Sequence, residues 1–598
     1  MLNSRTPAKG DRSLCRPLFS GAVIAVLAGG ALGVDPHYTL VNQQTGFNAI
    51  TVPIEGYTGQ HDLMAGGISV GDFNNDGWPD IYISGLGSVP DMLFINQQDG
   101  TFVDEAALWG IDRLHMANGS AVGDVNNDGL PDLYITSFGP ADEPAQPGKC
   151  LLYINQGSDA DGQWSFREEA EIRGVNHIMG IAAGKGAAFG DMDLDGDLDL
   201  YAATWEFSPE NDGNRLFEND GNGYFTDVTD EMIPDPGFVL RGFTPKFVDV
   251  TGDRYPDLLL TCDFATSRLY INNGPDDDGR ISFRDETVAA GITADNNGMG
   301  ATVNDFNGDG KLDWFMTNIF VPSADYFNTL YMGISVNEGG TPTFLDQAVV
   351  RGVQNNGWGW GVVSGDYNND GDIDMVATGG WPQWPNEPTR YWNNDGSGNF
   401  NDTSFNTGLS FNINGRGLVH LDYDRDGDLD LVFIDNFGPA RIYRNDLEPR
   451  EFSRFLRIDI NTDSHPCLAP MGYGTRVIAT YNGAEHLRVI DGASSYLGQS
   501  ELTVHFGLEL TETIHEIRFE WADGSVTTMH DVAADQQLDI HAFHALDLSG
   551  DGAINFFDLS LLVQAYISGD DQADINADGM VNAADLTDFL SRYQNPCQ

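Results

Sequence analysis

"GDFNNDGWPDIYISG", residues 71–85, sets the carboxylates of Asp72, Asp76 and Asp80 and the amides of Asn74 and Asn75 around Gly77. Like charges this close repel one another unless something neutralises them. The pattern is D-x-[DN]-x-D-G-x-x-D, and it recurs. Acid-rich loops begin at Asp72, Asp124, Asp191, Asp249, Asp305, Asp366 and Asp422, spaced 52 to 67 residues apart. Self-similarity at a fixed period marks a repeat architecture.

The flanks of the loop repeat as well. A small-residue apolar run such as "GSAVGD" precedes it, and an alternating strand such as "LYITS" or "MVATG" follows. A further strand ends in Asn or nearly so ("LFINQ", "LYINQ", "LFEND", "LYINN", "RYWNN", "RIYRN"). In most units a Phe-Asx strand closes the set ("TFVDEAALWGI", "SFRDETVAAGI"). Four short strands, seven times over, predict a mainly β chain whose residues 37–450 form a seven-bladed β-propeller, with blades packed radially and only short edges exposed. A solenoid of the same units has no reason to stop at seven. "HYTLVNQQTGFNAIT" (37–51) reads as the strand that completes the last blade and closes the ring.

Oxygens at alternating positions 1, 3 and 5 point into one concavity, position 7 offers a carbonyl, position 9 closes the shell and the glycine permits the bend. Such an all-oxygen, multidentate site suits Ca²⁺ better than Mg²⁺. The expected metal residues are Asp72, Asn74, Asp76 and Asp80; Asp124, Asn126, Asp128 and Asp132; Asp191, Asp193, Asp195 and Asp199; Asp305, Asn307, Asp309 and Asp313; Asp366, Asn368, Asp370 and Asp374; and Asp422, Asp424, Asp426 and Asp430. The fourth loop has Asp249, Thr251, Asp253 and Asp257, with Arg254 where glycine is expected, which puts its affinity in question. One copy of the pattern is an ordinary turn signal. Seven copies with the same trailing Asp point to calcium.

These residues resemble the FG-GAP/VCBS repeats of integrin-α-like propellers. The resemblance implies calcium loops on one face, a ligand on the opposite face and an interaction platform rather than an active site. Residues 454–541 are strand-rich, and "GYGTRVIA" (472–479), "SSYLGQSELTVHFGL" (494–508) and "IRFEWADGSV" (517–526) together resemble the ASPIC/UnbV module found in proteins like cartilage acidic protein. From chemistry alone this segment is a small β domain. Residues 545–598 carry two twelve-residue EF-hand-like loops: Asp547, Ser549, Asp551, Asn555 and Asp558, with the Ala553 carbonyl, and Asp574, Asn576, Asp578, Asn582 and Asp585, with the Met580 carbonyl. Each leads into an amphipathic helix. The pair resembles a type I dockerin, a small all-α domain, and implies a cohesin-type partner. Positions 10 and 11 of the loops, which help select that partner in the family, are Phe556 and Phe557, then Ala583 and Ala584, rather than the usual Ser/Thr pair. The alternative is a calcium-binding tail that docks on its own chain.

The 598 residues carry a net charge of -60, with 41% hydrophobic and 11% aromatic residues. That is enough apolar material for packed cores, so the chain is not a disordered acidic polymer. The charge argues against nucleic acid and anionic membranes as partners. Residues 1–33, basic and then apolar, read as a secretory signal peptide, with an uncleaved anchor as the alternative; no other segment reads as a membrane span. Cys150, Cys262, Cys467 and Cys597 show no metal spacing and leave disulfides or buried thiols equally open.

"GISVG" (67–71) matches a serine-hydrolase pattern, but it leads into an acid loop rather than a helix, so no catalytic residue is assigned. "HAFH" (541–544) lacks a third ligand. Trp358, Trp360, Trp381, Trp384 and Trp392 cluster in the sixth repeat, with Trp381 and Trp384 in a loop on the face opposite the acid loops; they either stack on a sugar or protein ligand or pack the blade. Two functions follow: a secreted calcium-binding adhesion or interaction platform with a protein or glycan ligand, or a component of an extracellular polysaccharide-degrading system, carbohydrate-binding or hydrolytic.

Overall fold

The computed structural model describes residues 36–593 apart from 52–60, 139–148, 177–183, 206–212, 235–239, 294, 322–326, 385–386, 448–452, 493, 545, 550–553, 569–574 and 576–579. The signal-peptide expectation at 1–33 lies outside them. Every acid loop joins two antiparallel strands at the same register. Gly71 faces Asp80, Gly123 faces Asp132, Gly190 faces Asp199, Val248 faces Asp257, Asn304 faces Asp313, Gly365 faces Asp374 and Leu421 faces Asp430. The trailing Asp of each motif is thus the first residue of the second strand.

Among the described residues, six four-stranded sheets and one five-stranded sheet follow one another along the chain. They begin at Ile68, Ala117, Gly184, Gly242, Ala301, Gly359 and Gly415. The seventh takes its outer strand from the start of the chain: Tyr38–Leu40 pairs antiparallel with the strand ending at Asn445, as the reading of residues 37–51 expected. Apolar side chains from neighbouring sheets share cores, for example Phe73, Tyr82 and Trp109 with Leu133 and Tyr153, and Phe306 and Phe315 with Met375 and Trp392. The arrangement is propeller-like.

The innermost strands touch. A Cβ at Gly67 would lie 1.8 Å from the Asn118 carbonyl, and one at Gly417 would lie 2.5 Å from the Gly66 carbonyl. Only glycine allows that approach. The Gly417 N–H donates to Gly66 O at 3.0 Å, so the last sheet meets the first.

A second set of contacts runs around the ring. An Asn of the third strand, its last residue in five of six cases, donates from Nδ2 to a loop carbonyl of the preceding sheet. The pairs are Asn96 to Tyr423, Asn155 to Phe73, Asn219 to Val125, Asn272 to Met192, Asn394 to Phe306 and Asn445 to Tyr367, all at 2.8–2.9 Å. The acceptor is always position 2 of the acid loop. In the fifth sheet Gly333 stands at this place, where a Cβ would lie 2.7 Å from the Leu312 carbonyl.

Strands from Arg454–Asn461 to Gln536–His541 form two further sheets around a separate core that includes Leu456, Phe506, Phe519 and Trp521. One loop of this domain enters the ring. Ser494 Oγ donates to Pro245 O, Ser495 Oγ to Val362 O and Tyr496 OH to Met64 O. Gly498–Gln499 adds a parallel strand beside Ile68–Ser69, Gln499 Oε1 accepts from Val122 N and Ser500 Oγ accepts from His420 N. Tyr496 is fully buried against Phe243 and Trp360. The "SSYLGQSELTV" motif is therefore an axle that bonds several sheets at once. At the C-terminus, helices Phe556–Ser568 and Ala583–Arg592 pack around Leu546, Leu562 and Phe589.

Asn155→Ala removes the Phe73 contact and leaves a buried carbonyl unpaired, which costs about 1–3 kcal/mol. The denaturation midpoint of the full chain falls accordingly, and an unchanged midpoint would show that these amides do not hold the ring.

Candidate metal loops and the faces of the ring

The first loop sets the pattern. Asp72 Oδ1 accepts from Asp76 N at 2.9 Å and Oδ2 from Gly77 N at 2.7 Å. Asn74 Oδ1 also accepts from Asp76 N, and Asp76 Oδ1 accepts from Trp78 N. Gly77 takes φ 84°. The same bonds from positions 5 and 6 to position 1 recur at Asp124, Asp191, Asp305, Asp366 and Asp422. The fourth loop keeps the geometry despite its substitutions: Asp249 accepts from Asp253 N and Arg254 N, and Arg254 takes φ 83°. A side chain in that conformation is strained by about 1–2 kcal/mol.

Two loops bring three ligand oxygens within 4.8 Å of one another: Asp191, Asp193 and Asp195, and Asp422, Asp424 and Asp426. In the second loop Asn126 Oδ1 is buried without a hydrogen-bond partner. A hard cation seeking oxygen donors fits these sets.

Position 9 has a different setting. Asp80, Asp132, Asp199, Asp257, Asp313, Asp374 and Asp430 are buried. In six of them one oxygen accepts the N–H of loop position 2 and the other an N–H at the end of the third strand, at 2.7–3.2 Å. Asp374 bonds Asn394 N and the Tyr391 hydroxyl. These carboxylates tie loop to strand, and any coordination they add uses their remaining lone pairs.

Burial dominates the electrostatics. It pushes the Asp72 and Asp124 carboxyls up to about 6, Asp193 and Asp422 to about 7, and Asp313 to about 8. Neighbouring loop carboxylates add to the rise.

The loop face is partly covered, and its first and fifth loops keep exposed residues such as Asp76 and Asp309. The C-terminal β domain lies over it: the Pro466 carbonyl approaches Gly196 of the third loop, Arg254 of the fourth donates to Ala522 O, Arg488 and His486 meet Gly371 O of the sixth, and His505 meets Gly427 O of the seventh. Two buried arginines of this domain also reach position-1 aspartates: Arg488 Nη2 lies 3.8 Å from Asp366 and Arg457 Nη1 3.7 Å from Asp422. Sequence reading assigned neither these arginines nor the latch asparagines. The recurrent Asn at the strand end was the one available signal for the latter.

On the opposite face, Trp384 stacks on Trp358 at 4.9 Å and Trp358 on Trp381 at 4.7 Å. Trp384 is 53% exposed, whereas Trp360, Trp381 and Trp392 are buried. The packing alternative thus holds for these three, and Trp384 alone of the five is largely open. Residues 206–212 and 322–326, which follow the second strands of the third and fifth sheets, lie outside the described residues.

Ser69 of "GISVG" is buried, with its hydroxyl 2.7 Å from that of Ser120. His544 Nδ1 accepts the Leu546 N–H, and His465, tilted against it with ring centres 4.9 Å apart, accepts the Cys467 N–H on Nδ1. Both rings are buried, and His465 Nε2 faces the Asp523 carboxylate at 3.5 Å. Cys150 and Cys262 are buried thiols, and Cys467 is disulfide-bonded. In the tail, Asp558 accepts from Ser549 N and Asn555 N, and Asp585 from Asn582 N, while Phe556 and Phe557 are exposed. Asp551, Asp574, Asn576 and Asp578 lie outside the described residues.

The FG-GAP-like repeat model matches residues 72–135, 191–260 and 249–316, and the ASPIC and UnbV model matches 468–545. The chain is a mainly β repeat protein carrying both elements. It is similar to cartilage acidic protein 1 of Mus musculus (24% identity over 84% of this chain and 76% of that one), of Homo sapiens (24%, 77% and 60%) and of Xenopus tropicalis (24%, 84% and 76%). Among solved structures it aligns at 10% identity with BBS1N in complex with ARL6DN, in crystals soaked with mercury or lead (TM-scores 0.37 and 0.36, 70% of this chain and 98% of that one).

The raised carboxyl values carry a sign. A folded value above the unfolded 3.8 means that these groups favour folding while protonated, and that the contribution is lost as pH rises through about 6 to 8. Metal-stripped protein is therefore expected to melt at a lower temperature at pH 8 than at pH 5, and added calcium to remove the difference. A melting temperature that rises with pH in stripped protein would contradict this.

Proposed function

We propose that the chain is a calcium-stabilised extracellular interaction protein, built as a seven-bladed β-propeller locked by its ASPIC/UnbV-like domain. The observation that carries the reading is the clustering of loop oxygens within 4.8 Å in the third and seventh loops, in a pattern repeated seven times. Calcium would supply the positive charge that these carboxylates lack. The chain's own residues set the cavity: position 1 is held by two backbone N–H groups, positions 3 and 5 face it, and position 9 anchors its floor. Similarity to cartilage acidic protein 1 and the signal-like leader support an extracellular setting. The C-terminal module, with two EF-hand-like loops and exposed Phe556 and Phe557, fits attachment to a protein partner, in the manner of a dockerin on a cohesin.

The opposite face is the ligand surface, and Trp384 is its exposed aromatic anchor, suited to a sugar ring or an apolar side chain. The reading is binding rather than turnover.

Two outcomes test this. Calcium at millimolar concentration raises the melting temperature of the full chain, since a few-fold excess over Kd adds about 1 kcal/mol per site; no shift would sink the calcium reading. On glycan and protein arrays, Trp384→Ala reduces binding without changing the melting temperature. Release of reducing ends from a glycan would instead establish an enzyme.

A further inference from the structure

The seven loops do not share one electrostatic setting. In the fifth loop, Asp305 accepts N–H groups of its own turn and is flanked by Asp309, whose carboxylate meets only the exposed Lys311 of the same loop at 3.1 Å rather than a buried arginine of the second domain. In the sixth, Asp366 Oδ2 accepts Gly507 N at 2.9 Å from the C-terminal domain as well as Gly371 N, and the Arg488 guanidinium stands 3.8 Å away. Arg488 is 8% exposed, and it also donates to Gly371 O at 3.2 Å, the carbonyl of the glycine that turns the loop. In the seventh, Arg457 is 2% exposed and lies 3.7 Å from Asp422 Oδ2. Its Nη1 and Nη2 both donate to Glu501, which itself accepts the Asp422 N–H. These arginines are fixed by burial and hydrogen bonds, so they cannot swing away from an incoming cation at no cost.

We infer that the C-terminal β domain tunes the loops it covers: Arg488 and Arg457 lower the cation affinity of the sixth and seventh loops below that of the fifth. The inference rests on the calcium reading. A guanidinium already neutralises part of each position-1 carboxylate and stands as a like charge beside the ion. By linkage, an ion in either loop weakens the docking of the domain by the same factor. The ring thus has loops that serve as calcium clips alone and two whose charge is shared between an ion and a second domain, so calcium concentration adjusts how tightly the axle-bearing domain is seated.

The test is calcium titration of the full chain by calorimetry. Wild type shows two affinity classes, and Arg488→Gln tightens one weak site by about 5- to 150-fold, the usual range of such coupling. Arg488→Lys, which keeps the charge, stays near wild type. Arg457→Gln does the same for the seventh loop if it folds; Arg457 is so buried that the Arg488 pair carries the decision by itself. In an Asp370→Asn background, where the sixth loop has lost its position-5 carboxylate, Arg488→Gln has no further effect. Unchanged or weaker binding in Arg488→Gln, or an effect that persists with Asp370→Asn, overturns the inference. Absence of calcium binding in wild type overturns the calcium reading itself.

Discussion

The contact on which the ring depends is a buried carboxylate–amide relay. In six of the seven sheets the trailing Asp of the loop takes one N–H from the loop and one from the third strand (Asp374 takes the Asn394 N–H and the Tyr391 hydroxyl instead), and in six sheets an Asn of that strand reaches back to the preceding sheet. Backbone groups that a sharp turn would leave orphaned are satisfied in one step, and an unpaired buried group costs more than a formed bond returns. Because each relay spans two sheets, the units cannot fold as independent hairpins. The relay from Asn96 to Tyr423 joins the first sheet to the seventh and turns a row of repeats into a closed ring.

Closure brings the inner strands together around an axis too narrow for large side chains, which is why glycine sits where neighbouring carbonyls approach. What remains of the axis is filled from elsewhere in the chain. Tyr496 and its serine neighbours spend their polar atoms on the carbonyls of Met64, Pro245 and Val362, which line the axis. The C-terminal β domain is thus tied to the ring through buried polar bonds, and the acid loops lie in the seam between them. Charge that would be dispersed on an open face is concentrated at an interface, where low polarisability raises both the cost of the carboxylates and the return from any cation that meets them.

The sequence by itself determined much. The acid motif and the alternating strands set the strand pairing across each loop, and the orphan segment at residues 38–40 found its place beside the strand ending at Asn445. These are local signals, carried by side-chain periodicity and turn chemistry over a few residues. The loop sets were legible for the same reason, down to the fourth loop, whose Arg254 adopts the glycine conformation. What only the tertiary structure decided are contacts between residues far apart in the chain: that position 9 is a buried tie, that Arg488 and Arg457 reach Asp366 and Asp422, that Trp381 is buried while Trp384 is not, and that a loop from a separate domain fills the axis. No periodicity encodes such pairings, because a side chain's partner across hundreds of residues is set by how the sheets close and not by its neighbours in sequence.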